Sequence, residues 1–143
     1  YYLAKMLQSG EDIRFIARRI MICASEDVGN ADPQALILAV NASLAVERVG
    51  MPEAQIILTQ AACYIATAKK SNAAVKAIFA ASDVVRKKGN LEIPSYLRDA
   101  HYSGHEQLGR GVGYKYPHDY PEHFVEQQYL PDEIKDYRFY EED

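Results

Sequence analysis

Between Ile13 and Lys88 apolar residues return every three or four positions in four successive blocks, each bounded by helix punctuation. Ile13, Ile16, Ala17, Ile20 and Ala24 share one helical face, with Arg14, Arg18 and Arg19 largely on the other. Asp12 stands where a short side-chain oxygen caps first-turn amides. After Glu26 and Asp27, Gly29 suits the left-handed conformation that ends helices. Asp32 and Pro33 restart the chain, the first as a cap, the second where a missing N–H is no loss. Leu36, Ile37, Val40, Leu44 and Val46 carry this helix to Gly50, and Met51-Pro52-Glu53 opens the next by the same device. That third block runs through Ile56, Ile57, Leu58, Ala61, Ala62, Ile65 and Ala66 to Lys69 and Lys70, where cations suit the negative end of the helix dipole. Ser71 then caps a helix containing Ala74, Val75, Ile78, Phe79, Ala81 and Val85, closed by Arg86, Lys87, Lys88 and Gly89. Upstream, Leu3, Met6 and Leu7 before Gly10 read as one further helix end.

The pattern predicts an all-α bundle of about five helices. No alternation of period two rich in β-branched residues suggests a sheet. Abundant alanine favours close helix packing. The block from Pro52 to Thr67 is apolar around much of its circumference, so it is either central to the bundle or part of an interface. Restart signals recur, but the spacings do not repeat well enough for a solenoid.

After Gly89 the character changes. Leu91 to Ala100 predicts one short helix near Pro94, and from His101 onward no periodicity remains. Long structureless stretches in compact domains are usually functional or disordered, and disordered segments are poor in aromatics. This one holds Tyr102, Tyr114, Tyr116, Tyr120, Phe124, Tyr129, Tyr137, Phe139 and Tyr140. We therefore expect a helical part over residues 1–100 and an irregular tail over 101–143. The tail docks by its rings, Tyr114, Tyr116, Tyr120 and Tyr129 among them, as part of the same structural unit.

The 143 residues, 48% hydrophobic and 25% charged, suit one globular domain. No apolar run approaches the roughly 18–20 residues of a membrane span, and no secretory signal is present. Because the sequence opens on Tyr1, inside a helix, we expect a segment of a longer protein. Cys23 and Cys63, far apart and each among apolar neighbours, read as small hydrophobes of a reducing compartment rather than a zinc site, so a cytoplasmic protein is expected. Net charge is −4, but residues 1–90 carry 11 Lys and Arg against 8 acids, and residues 91–143 carry 5 against 12. Neither part has the basic balance of an autonomous nucleic-acid binder.

Candidate chemistry is sparse. Gly104 to Gly111 has the glycine spacing of a phosphate loop, but Arg110 stands for the Lys and Gly111 for the Ser or Thr, with no strand before it. His101, His105, His118 and His123, with Asp119 and Glu122, are metal-ligand types, but Gly104 separates the first two and there is no HExxH. They read as structural. Glu11-Asp12 and Glu26-Asp27 read as helix-end caps and partners of Arg14, Arg18 or Arg19, not as an acid–base pair. Asn41-Ala-Ser43 fits a glycosylation sequon, which means little inside a helix.

Seven segments taken in order resemble one family. They are Gly10 to Ile20 (GEDIRFIARRI), Ala24 to Leu36 (ASEDVGNADPQAL), Gly50 to Gln55 (GMPEAQ), Lys70 to Ala74 (KSNAA), Leu97 to Ala100 (LRDA), Gly113 to Pro121 (GYKYPHDYP) and Gln127 to Glu133 (QQYLPDE). Together they resemble the C-terminal oligomerisation region of the RarA/MgsA replication-associated recombination AAA+ ATPases, relatives of the Werner-helicase-interacting protein. Val75, where many members carry an aromatic, and Tyr137 to Asp143 depart from the pattern. The resemblance implies a collar like that of clamp loaders, which assembles a DNA-stimulated ATPase of stalled replication forks as a homotetramer. It places ATP and magnesium in an upstream motor domain, leaving this segment non-catalytic and without a cofactor or metal. Implied partners are further copies of the chain, that upstream domain and, through the whole protein, DNA and replication-fork proteins near the nucleoid, with no membrane. The alternative is a DNA-binding module in which Arg18, Arg19, Lys69, Lys70, Lys87 and Lys88 meet phosphate; the same six residues equally suit contacts between subunits. A metal-dependent hydrolase in the histidine tail is a third reading.

Overall fold

The computed structural model describes every residue except Ala100, Tyr102, His105, Glu142 and Asp143. Tyr102 and His105, named above among the tail rings and histidines, therefore lie outside the described residues. The chain is all-α: α1 (Tyr2–Gln8), α2 (Ile13–Cys23), α3 (Gln34–Val49), α4 (Ala54–Thr67) and α5 (Ala73–Lys88), with no strand among the described residues. None of these helices is long and apolar enough to cross a membrane. Two compact units are present, one of Tyr1–Ala80 with Phe139–Asp143, the other of Ala81–Arg138. This division differs from the one drawn at residue 100. Composition changes where the helices end, whereas the compact units part within α5.

In the first unit the sequence's start signals act as expected. The Asp12 carboxylate accepts from the Arg14 backbone N–H at 2.9 Å, Asp32 from Gln34 at 3.1 Å, and the Ser71 hydroxyl oxygen from Ala73 at 3.2 Å. Met51-Pro52-Glu53 is a turn instead, and α4 begins only at Ala54, whose N–H reaches the Gly50 carbonyl at 2.8 Å. α4 is the central helix, packed against α1, α2 and α3. One core cluster joins Ile16, Ala17, Val46, Ala54 and Leu58, and a second joins Ala24, Val28, Ala35, Ala39 and Ile65. Burying a side chain such as Leu58 contributes about 1.5–3 kcal/mol.

The junction between α2 and α3 departs from the simple helix stop that Gly29 predicts. α2 passes into a π turn over Ala24–Val28 and then a 3-10 turn over Gly29–Ala31. The Asp27 carbonyl, at this bulge, accepts the Ser71 N–H at 2.9 Å. The Ser71 carbonyl oxygen in turn lies 2.8 Å from where a Cβ on Gly29 would sit. Glycine is required here twice over, by its φ of +52° and by the close approach of another backbone. From the end of the chain, Tyr140 returns to this junction, its hydroxyl accepting from the Asn30 amide at 3.3 Å.

Hydrogen bonds tie together the irregular segments of the second unit. The helix expected near Pro94 is a single 3-10 turn, Ser95–Leu97. Pro94 is extended (ψ 135°), and Arg98, folded back onto the Ile93 carbonyl (2.8 Å) and Glu92 (2.7 Å), leaves that turn extended. The Tyr96 hydroxyl donates to the Gln128 carbonyl at 2.6 Å, and the Gly111 N–H to Ser95 at 3.0 Å. Among the described residues of this unit Ile134 is the one buried hydrophobic side chain.

Candidate self-association surface

α3 is built from a run without charge. From Pro33 to Val46 no residue carries one, and Asp32 and Glu47 bracket the stretch. Its inner side is small: Ala35, Ala39 and Ala42, with Val46, are buried. Alanines let the neighbouring helices approach closely, and α2 and α4 both pack there. The larger side chains point outward. Leu36 and Val40 are 40% exposed and Ile37 and Leu44 52%, in a stripe at four-residue spacing.

Nothing polar interrupts this stripe at a cost. Asn41 lies beside it, but its amide donates to the Ile37 carbonyl at 2.8 Å, so one donor is already satisfied within the helix. An exposed face that is apolar and depleted of charge has the composition of an interface core. α5 adds a smaller apolar surface, with Ile78 and Phe79 more than half exposed and Ala73 its one buried residue. α4, although packed against α1, α2 and α3, also leaves Ile56 67% exposed.

The six basic residues have different surroundings. Lys70 donates its ammonium hydrogens to the carbonyls of Ile65 (2.8 Å), Ala66 and Ala68, closing the C-terminus of α4. The role anticipated from the helix dipole is thus filled with geometry, and the ammonium is committed to it. Lys87 pairs with Asp83 at 2.6 Å, and the same carboxylate meets Arg86 at 3.4 Å. The Lys87–Asp83 hydrogen bond lowers the Asp83 pKa and raises that of Lys87, two directions that agree. Lys88 sits 5.9 Å from the Tyr137 ring centre, and Arg18 5.2 Å from that of Phe15. Arg19 and Lys69 are exposed and, among the described residues, make no hydrogen bond or ion pair.

Tyr114, Tyr116, Tyr120 and Tyr129 are 38–53% exposed. The Tyr116 and His118 rings meet at 5.0 Å, and those of His118 and His123 at 4.9 Å, both pairs tilted by about 50°. The Tyr140 hydroxyl is at the α2–α3 junction, against Asn30. Among the described residues no three His, Cys, Asp or Glu side chains converge as a metal site. The Gly104–Gly111 loop contains a 3-10 turn, Glu106–Leu108, and among the described residues neither a strand nor an α-helix flanks it. Cys23 is bonded to the Asp27 carboxylate at 3.0 Å. Burial, and then that hydrogen bond, push its pKa upward, the opposite of a reactive thiolate.

A family model described as the MgsA AAA+ ATPase C terminal matches residues 1–143. An uncharacterised AAA domain-containing protein of Mycobacterium tuberculosis is 54% identical over 98% of the chain and 31% of its own length. The replication-associated recombination protein A of Bacillus subtilis is 46% identical over 98% and 33%. The ATPase WRNIP1 of Dictyostelium discoideum is 38% identical over 99% and 16%. The chain thus spans about a third or less of the length of these curated relatives.

Proposed function

From the premise that the chain belongs to the MgsA C-terminal family of AAA+ ATPases, we propose that it is the self-association module of its parent protein. It gathers the ATPase domains of four copies into a homotetramer. In this reading the parent, like the relatives named for replication-associated recombination, acts in replication-linked recombination, and DNA and fork proteins are engaged by the assembled whole. The observation that carries the proposal is the charge-free outer stripe of α3. Covering its four half-exposed aliphatic side chains is worth roughly 3–5 kcal/mol per copy, to set against the entropic cost of association.

Light scattering on the eluting chain tests this. At tens of micromolar the wild type should show about four times its 16.1 kDa, and Leu36→Glu/Leu44→Glu should fall to the single-chain mass with helicity unchanged. A wild type that stays at 16.1 kDa throughout that range removes the proposal.

A further inference from the structure

The second unit brings two histidines together on a pair of rigid turns. From Tyr116 the chain reads Tyr-Pro-His-Asp and then, to His123, Tyr-Pro-Glu-His. Each half forms a 3-10 turn, Pro117–Asp119 and Pro121–His123, opened by a proline whose ring fixes φ. Backbone bonds close both, from the Tyr120 N–H to the Pro117 carbonyl at 3.1 Å and from the Phe124 N–H to the Pro121 carbonyl at 3.3 Å. The second turn is strained. Glu122 and His123 have φ of +58° and +55°, a left-handed conformation that residues other than glycine adopt uncommonly. Strain of this kind gathers at ligand sites. Here it accompanies the meeting of the His118 and His123 rings, their centres 4.9 Å apart and their planes inclined by 52°.

Both imidazoles are exposed, and among the described residues neither makes a hydrogen bond or ion pair. His101 differs, its Nδ1 meeting Asp99 at 2.8 Å. Two imidazoles on one zinc ion, with metal–nitrogen bonds of about 2.0–2.1 Å and an angle near 100°, have ring centres roughly 5 Å apart. The separation of His118 and His123 is thus the one a shared ion would set. Imidazole nitrogen suits zinc, copper and nickel, whereas magnesium and calcium take oxygen. We propose that His118 and His123, rather than being structural, form a two-histidine chelate for a divalent transition-metal ion such as zinc. Among the described residues no third His, Cys, Asp or Glu side chain converges there, so positions on the ion stay open for water or for a ligand from another molecule. The tandem turns hold the two rings before the ion arrives, which lowers the ordering cost of binding. A purely structural ring cluster with Tyr116 is the competing explanation, and it has no use for unengaged ring nitrogens.

Isothermal titration of the intact chain with zinc chloride, in a buffer that does not bind metal, tests the proposal. One ion should bind per chain. His118→Ala and His123→Ala should each weaken binding at least tenfold, because either change leaves a single ring. His101→Ala should cost less than twofold, and Cys63→Ser, which removes the exposed thiol, should bind as the wild type does. Zinc should also shift the imidazole proton resonances of His118 and His123 together and leave that of His101 in place. Absence of saturable binding, a loss smaller than tenfold in either single variant, or an equal loss in His101→Ala or Cys63→Ser would each overturn the assignment.

Discussion

Replacing Gly29 by alanine tests how tightly the α2–α3 junction is locked to the start of α5. Gly29 has φ +52° and ψ −137°, and its added Cβ would lie 2.8 Å from the Ser71 carbonyl oxygen. The Ser71 backbone is itself tied to this junction, its N–H bonded to Asp27 at 2.9 Å. Gly50 is the matched control, with φ +72°, ψ −175° and open space for 4 Å around the place a Cβ would take. Both substitutions carry a conformational cost of about 1–3 kcal/mol. Only Gly29→Ala adds a forced displacement of packed backbone, about 1–3 kcal/mol more. Urea unfolding followed by far-ultraviolet circular dichroism, at one fixed protein concentration, should therefore rank Gly29→Ala below Gly50→Ala and both below the wild type. In thermal melts the gap should be roughly 3–5 °C for each kcal/mol in a chain of this length. Equal losses for the two variants would refute the close approach as the reason glycine stands at this position.

Removing the ammonium at the end of α4 with Lys70→Met should lower stability by about 1–2 kcal/mol, since carbonyls of Ile65, Ala66 and Ala68 lose a charged donor. An unchanged denaturation midpoint would show that the cap is idle. Asp12 has its pKa lowered from 3.8, first by the hydrogen bond from the Arg14 backbone N–H. Its stabilising contribution is therefore present above the unfolded-state value and lost as pH falls through the lower folded value. Melting temperature should accordingly decline across that acid range in the wild type and decline less in Asp12→Asn. Identical acid limbs would remove Asp12 from the account.

Much of the helical frame is legible from local chemistry, because caps and stops act within a few residues. Asp12, Asp32 and Ser71 each accept the backbone N–H two positions on, and the Gly50 N–H closes α3 on Val46 at 3.0 Å. The π turn is not legible, and the Asp27 carbonyl within it is met by the backbone N–H of Ser71, far along the chain. Nor is the inner face of α3. Leu36, Ile37, Val40 and Leu44 dominate the periodicity, yet alanines occupy the core, because distance between helix axes is decided by neighbours that one helix does not encode. Lys70 shows the same limit at a single side chain. Its sequence position suits a phosphate contact and a helix-end cap equally, and only its three carbonyl partners distinguish them.

An α3 with its bulk turned outward also has a kinetic meaning. In the proposed assembly, contact with other copies would hold this rod against the rival choice of rolling its bulk inward. Quaternary structure would then act as a proofreader of tertiary structure. Amide resonances from Gln34 to Val49 should broaden on dilution while those of α4 stay sharp.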